Sequence, residues 1–229
     1  MDELEFVFHQ VLPALNQGLR VSAALIVPSA FLGLTGGIVV GSLRVYGGSL
    51  WSRVASAYAA VFRGTPLVIQ LFMLYFGLPG IGITLDPYTA AVLGFTLCSA
   101  AYHSEYIRGG LNAVRRGQVL AARALGFSTW QSLVWIVVPQ AVRKALPGCG
   151  NEIIYLIKYS SLAYVITCFE ITGQAKIVAS ETFRFSEVFL VAGMYYLAMV
   201  TLTTKALLWL ERRLAIPGFG VYQGEDYGR

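Results

Sequence analysis

The stretch VSAALIVPSAFLGLTGGIVVGSL, from Val21 to Leu43, contains no charged residue. A helix of that length, at about 1.5 Å per residue, reaches across a hydrocarbon core roughly 30 Å thick. It is read as a membrane span. Gly33, Gly37 and Gly41 recur at every fourth position and so share one helix face. With no side chains there, a second helix can approach the backbone closely.

Composition extends this reading to the whole chain. The 229 residues are 56% hydrophobic and only 13% charged, with a mean hydropathy of +0.64. A soluble domain carries about 25% charged residues. So few charges cannot cover a water-facing surface, which makes lipid the main solvent. Further spans are read at about 54–78, 87–106, 145–169 and 188–210, giving an all-α integral membrane protein with about five transmembrane helices in a single domain, 1–229. The second span is expected to kink at Arg63-Gly64-Thr65-Pro66, because Pro66 removes a backbone donor. The apolar run SLVWIVVP at 132–139 is too short to cross and is placed against the membrane surface or under the bundle. The N-terminal MDELEFVFHQVLPAL is acidic and lacks the basic start of a cleavable signal peptide, so the first apolar segment is expected to remain as an anchor.

Basic residues assign the two sides. Arg44, Arg53, Arg108, Arg115, Arg116, Arg123, Arg143, Lys144, Arg212, Arg213 and Arg229 follow spans one, three and five, whereas the opposite side holds Arg20, Lys176 and Arg184. Eleven against three places the N-terminus outside and the C-terminus in the cytoplasm. These residues form no single solvated stripe, so the net charge of +5 does not point to nucleic acid. Cys98, Cys149 and Cys168 have no metal or redox spacing and read as small buried apolar residues. His9 and His103 stand far apart without metal-type partners. No metal site and no catalytic residue is assigned, and a membrane-embedded enzyme is set aside. The sequence has no inverted repeat, which argues against a secondary transporter acting alone.

The longest polar stretch, 108–141, lies on the basic side. Residues 118–125, QVLAARAL, are good helix formers, and Gly126 is placed to end that helix. Ser128 can cap the helix that follows. A short helix, a glycine turn and a second helix returning to the membrane result. By composition alone this is a buried re-entrant hairpin or a docking element.

The segment GQVLAARALGFSTWQSLVWIVVPQA, 117–141, resembles the cytoplasmic "EAA" loop of ABC-importer permeases. In that pattern Glu-Ala-Ala is followed by three residues and Gly, then by a hydrophobic residue and Pro. Ala121, Ala122, Gly126, Ile136 and Pro139 stand at matching positions. Three more stretches resemble the polar amino acid branch of that family, the histidine, glutamine and arginine type: RGTPLVIQLFMLYFGLP at 63–79, AYHSEYIRGGLNAVRRGQ at 101–118 and NEIIYLIKYSSLAYVI at 151–166. The four stretches are collinear with the family pattern and run from 63 to 166.

The resemblance implies a type I importer permease fold and a bacterial cytoplasmic (inner) membrane location. Two permease subunits, identical or homologous, would form the path, with a periplasmic or extracellular amino-acid-binding protein delivering the substrate. A dimer of ATP-binding-cassette ATPases would carry the ATP and Mg; no cofactor is assigned to this chain, which has no GxxxxGK[ST] phosphate loop. Leu120, Ala121, Ala122, Arg123, Gly126 and Pro139 would make the ATPase-coupling contact. Two departures stand out. Leu120 replaces the Glu of the pattern, and Lys158-Tyr159-Ser160-Ser161-Leu162 stands where the branch reads Lys-Asp-Thr-Ser-Leu.

A permeating amino acid needs polar partners for its ammonium and carboxylate groups. Arg63, Glu152, Lys158, Tyr159, Ser160 and Ser161 are the candidate path residues, with Glu152 and Tyr159 seven apart on one helix face. For Arg63 the competing reading is a brace at the Pro66 kink. Glu105 is expected to pair with Arg108 at helical spacing, His103 to be packed or paired with Glu105, and Lys205 to snorkel to the interface. A related permease for another small polar solute, such as an opine or an amino acid derivative, is the alternative within transport.

Overall fold

The computed structural model describes residues 3–214; Arg229, counted above among the basic residues, lies outside them. Helix α1 spans Glu3–Phe6 and runs through a π-helical turn, Val7–Val11, into α2, Leu12–Tyr46. Then follow α3 (Ser49–Gly64), α4 (Leu67–Phe72), α5 (Pro87–Asn112), α6 (Arg116–Ala124), α7 (Thr129–Ser132), α8 (Val138–Tyr159), α9 (Ile171–Thr182) and α10 (Phe185–Leu214). The described residues contain no strand.

Helix α5 is the central element, packed on α2 along one side and on α8 along the other. The α2 seam is the glycine face read from the sequence. A Cβ on Gly33 would fall 2.8 Å from Ser99 Oγ, and one on Gly37 would clash outright with His103 Cβ. Gly41 meets the Ser104 carbonyl and Ile107 in the same way. Across the α5–α8 seam Gly110 sits on the Ala141 carbonyl and Gly148 on the Tyr106 ring. Backbone contact this close lets dispersion hold the helices together where lipid removes the hydrophobic drive between them.

Two apolar cores result. One gathers Leu25, Leu71, Phe95, Leu156 and Ile166 in the middle of the bundle. The other joins the start of α2 to α9 and α10 through Phe6, Val11, Leu15, Ile171 and Val188. Outer faces of α2 and α10 stay apolar and uncovered, with Val27, Phe31, Val39, Leu190, Met194 and Leu197 exposed, as a lipid-facing surface requires.

Prolines set several details. Pro28, inside α2, cannot donate to Ala24, and Tyr88 Oη donates to that carbonyl instead, at 2.9 Å. Asp86 caps α5 by accepting from Thr89 N at 3.1 Å, and the hydrogen bonds from Thr89 hold its carboxyl below the usual carboxylate range.

The helix bounds differ from the sequence reading in instructive places. The expected kinked helix at 54–78 is two helices, α3 and the segment Leu67–Ile81, bent by 103° at Thr65-Pro66. Gln70 braces that corner rather than Arg63: its Nε2 donates to the Phe62 and Thr65 carbonyls at 2.8 and 3.1 Å. The run at 132–139 is not a separate surface segment. It forms the first turns of a helix that continues through a π-helical turn, Leu133–Val137, into α8. Pro139 explains the turn, since a missing donor is accommodated by a local shift of the ladder. Helix α8 begins at Val138 instead of 145, ends at Tyr159, and continues as a 3-10 turn, Ser160–Ile166.

Glu3–Tyr46 and Phe185–Leu214 are each long and apolar enough to cross a membrane; the bent pair around Pro66 and the bent pair Thr129–Ile166 with Ile171–Thr182 add up to two more. Helix α5 has the length, with 26 residues, but is less apolar. Its central position accounts for this: Ser99, His103 and Ser104 are buried against protein, not lipid.

Candidate functional site

Three polar features depart from an otherwise apolar bundle, and the first is Glu152. It is 2% exposed, one turn above Gly148 on the face of α8 turned to α5. Its carboxyl faces the Ser99 hydroxyl and lies in electrostatic reach of Tyr102, Tyr106 and Tyr159. Cys98 and Cys149 close the sides. No cation pairs with it among the described residues. A buried carboxyl with no paired cation is costly to hold ionised, so it adds little to the stability of the bundle.

The other candidate path residues divide. Tyr159 stacks on Tyr155 at 5.9 Å and shares the side of Glu152, as the spacing of seven implied. Lys158 points away, exposed, with its Nζ over the Tyr155 ring at 5.1 Å. Ser160 and Ser161 turn their hydroxyls back on the Ile157 and Lys158 carbonyls, each at 2.7 Å, and so spend their donors on the end of α8. Arg63 lies on α3, stacked over Tyr102 at 5.6 Å.

The second feature is Glu105. The expected pair with Arg108 is present at 2.7 Å, but Arg44 Nη2 and Arg63 Nη1 also donate to the carboxylate, at 2.8 and 2.5 Å. One carboxylate therefore ties α2, α3 and α5 together. His103 does not pair with Glu105. Its Nδ1 lies 2.9 Å from the Ser99 carbonyl, and its Cβ and backbone pack against Gly37. Arg44 was read from the sequence only as a basic residue at a helix end. Its position three residues beyond Gly41, on the face toward α5, was the available signal.

A third polar group, Glu170, was missed entirely. It is buried, caps α9 by accepting from Gly173 N at 3.1 Å, accepts from Tyr196 Oη, and has Ser22 Oγ at 3.5 Å. It links α2, α9 and α10 at one point. A lone acid directly before the apolar start of α9 was its only trace in the sequence.

The hairpin after α5 projects from the bundle. Helix α6 ends in the expected glycine turn: Gly126 has φ +88°, and Phe127 N bonds the Ala122 carbonyl at 3.1 Å. Ser128 and Gln131 form a reciprocal capping box that starts α7. Ala122 is buried, while Leu120 is 64% exposed and Leu125, Phe127 and Trp130 are exposed beside it. Arg123 reaches Thr129 Oγ1 at 3.4 Å across the turn. Pro139 lies at the start of α8, away from this tip.

Apolar outer faces, a buried polar point at Glu152 and an exposed apolar hairpin at one end describe a membrane-embedded bundle with a projecting surface. Residues 33–216 match the family described as binding-protein-dependent transport system inner membrane component, and the chain belongs to that family. It is similar to a probable amino-acid ABC transporter permease protein of Vibrio harveyi, 35% identical over 90% of this chain and 93% of the relative. It is also similar to the nopaline transport system permease protein of Agrobacterium fabrum (strain C58), 37% identical over 87% of each. Among solved structures, the crystal structure of an amino acid ABC transporter with histidines superposes with a TM-score of 0.86 and 34% identity, covering 93% of this chain and 99% of that one. The fold is that of the type I ABC-importer permeases.

Proposed function

We propose that this chain is the permease subunit of an ATP-driven importer that carries a polar amino acid across the bacterial cytoplasmic membrane. The observation that carries the substrate class is Glu152, a carboxyl with no paired cation among the described residues, held inside a lipid-embedded bundle and framed by Tyr102, Tyr106 and Tyr159. A polar amino acid brings the ammonium that this site lacks. The names of the two relatives support the same class, and nopaline, an amino acid derivative, supports the second reading of an opine substrate.

In this reading α2, the α3–α4 pair, α5, α8 and α10 make five crossings, with the N-terminus outside and the C-terminus in the cytoplasm. The hairpin of α6 and α7 then lies in the cytoplasm. Its exposed Leu120, Leu125 and Trp130 dock on an ATPase subunit, with Ala121, Ala122 and Gly126 permitting close approach. ATP and Mg belong to that subunit, and no catalytic or metal-binding role falls to this chain. A second permease copy or homologue completes the path, and an external binding protein delivers the solute. Closure of the ATPase dimer would move the hairpin and rock the bundle about Glu152.

The test is ligand-stimulated ATP hydrolysis by the complex purified from membranes, surveyed across amino acids and opines. Stimulation by a polar amino acid is expected. Glu152→Gln should leave assembly intact and raise the half-maximal concentration by roughly tenfold, the loss of one buried charge-assisted contact. Unchanged stimulation in Glu152→Gln would remove Glu152 from the path.

A further inference from the structure

The Glu105 cluster has a charge imbalance that the transport reading leaves unused. Arg44, Arg63 and Arg108 converge on one carboxylate, so three permanent cations meet a single anion. Arg44 is the most enclosed of them, with its side chain 10% exposed, and its Nε finds no hydrogen-bond partner among the described residues. Arg63 and Arg108 are less enclosed, at 38% and 42%, and keep further N–H groups turned outward. Uncompensated cations beside an apolar medium are costly, and a nearby anion relieves that cost.

The surroundings indicate what kind of anion. Helix α3, which carries Arg63, shows an apolar outer face of Leu50, Trp51, Val54 and Val61, all exposed. Leu50, Val54 and Val61 share one side of α3, opposite Arg63, so the helix meets lipid with that side and turns Arg63 inward to Glu105. Guanidiniums on the inner side of a helix whose outer side meets lipid match a phosphate headgroup whose acyl chains stay in the surrounding bilayer. A free amino acid is the poorer fit, because a zwitterion adds no net negative charge. Anionic headgroups bind basic pockets between helices on the cytoplasmic side of membranes.

We propose that Arg44, Arg63 and Arg108 form a phosphate site at the cytoplasmic edge of α2, α3 and α5, filled by an anionic lipid. Arg63 and Arg108, the two partly exposed guanidiniums, supply the N–H groups, Glu105 keeps the three aligned, and the lipid chains stay in the bilayer outside the bundle. Occupancy would fix the corner between α3 and α5, directly beside Tyr102 and hence beside the Glu152 site. The placement at the cytoplasmic edge rests on the membrane orientation given under the proposed function.

The experiment is native mass spectrometry of the complex after transfer into nanodiscs of phosphatidylcholine with and without phosphatidylglycerol. Retention of phosphatidylglycerol in preference to phosphatidylcholine is expected in the unmodified protein. The double variant Arg63→Gln/Arg108→Gln should weaken that retention by roughly thirty-fold, two guanidinium contacts to an anionic headgroup, while Arg212→Gln at the end of α10 leaves it unchanged. Equal retention of both lipids, or undiminished phosphatidylglycerol in the double variant with its melting temperature preserved, overturns the proposal. Inorganic phosphate is the third arm. If it stabilises the protein in the absence of any lipid preference, the phosphate comes from solution and the lipid assignment fails. Transport is read separately: a complex that imports amino acids yet retains no phosphatidylglycerol refutes this site alone.

Discussion

At residue 159 the chain carries Tyr where the family it resembles carries Asp, one helix face from Glu152. A second carboxylate there would add negative charge to a site already holding one, and so favour a substrate with a cationic side chain. Tyr159→Asp is expected to shift preference toward cationic amino acids by roughly tenfold, about 1.4 kcal/mol. Competition in the ligand-stimulated ATPase assay measures this, and an unaltered rank order would place Tyr159 off the path. Gly126 poses a different question, since a Cβ added there meets nothing within 4 Å. Only its φ of +88° resists substitution. Gly126→Val should therefore strain the hairpin by about 1–2 kcal/mol and weaken ATPase co-purification, whereas Gly126→Asn, which tolerates that conformation, should retain it. Equal behaviour of the two variants would mean that backbone geometry at the turn does not govern docking.

At the scale of elements, the α2–α5 seam was readable from sequence because Gly33, Gly37 and Gly41 declare themselves by spacing alone. The Glu105 cluster was not. Spacing exposes only its Arg108 contact, whereas Arg44 and Arg63 arrive from two other helices. The 103° corner at Pro66 was equally hidden: proline announces a lost hydrogen bond, but the size of the bend depends on Gln70 and on packing against α5. The run 132–139 misled for a related reason, being short by itself and continuous with α8 only once Pro139 is absorbed by a π-helical turn. The seam makes a sharp stability prediction. Gly37→Val sets its Cβ far inside van der Waals contact of His103 Cβ, so the helices must separate and the melting temperature in detergent should fall by the equivalent of about 1–3 kcal/mol. Gly109→Ala, on α5 where nothing lies within 4 Å, should be neutral or slightly stabilising. A Gly37→Val protein that melts like its parent would show that the seam is not packed as described.

For the whole molecule, the two ends of the bundle differ in kind. One carries the hairpin of α6 and α7 and the basic helix ends; the other carries the second apolar core, where α1, the start of α2, α9 and the start of α10 meet. Arg184 stacks over Phe6 and bridges to Glu187 at that end, whereas most arginines lie at the hairpin end. The positive-inside rule turns this asymmetry into an orientation. Leu125, at the hairpin tip, and Phe183, between α9 and α10, are 81% and 84% exposed and lie in the two opposite regions. Cys98, Cys149 and Cys168 are buried and unpaired, so they leave little background for a thiol reagent. In intact cells a membrane-impermeant maleimide should label Phe183→Cys at once and Leu125→Cys only after permeabilisation. The reverse pattern would invert the orientation, put the hairpin out of reach of any cytoplasmic ATPase, and overturn the coupling role assigned to Leu120.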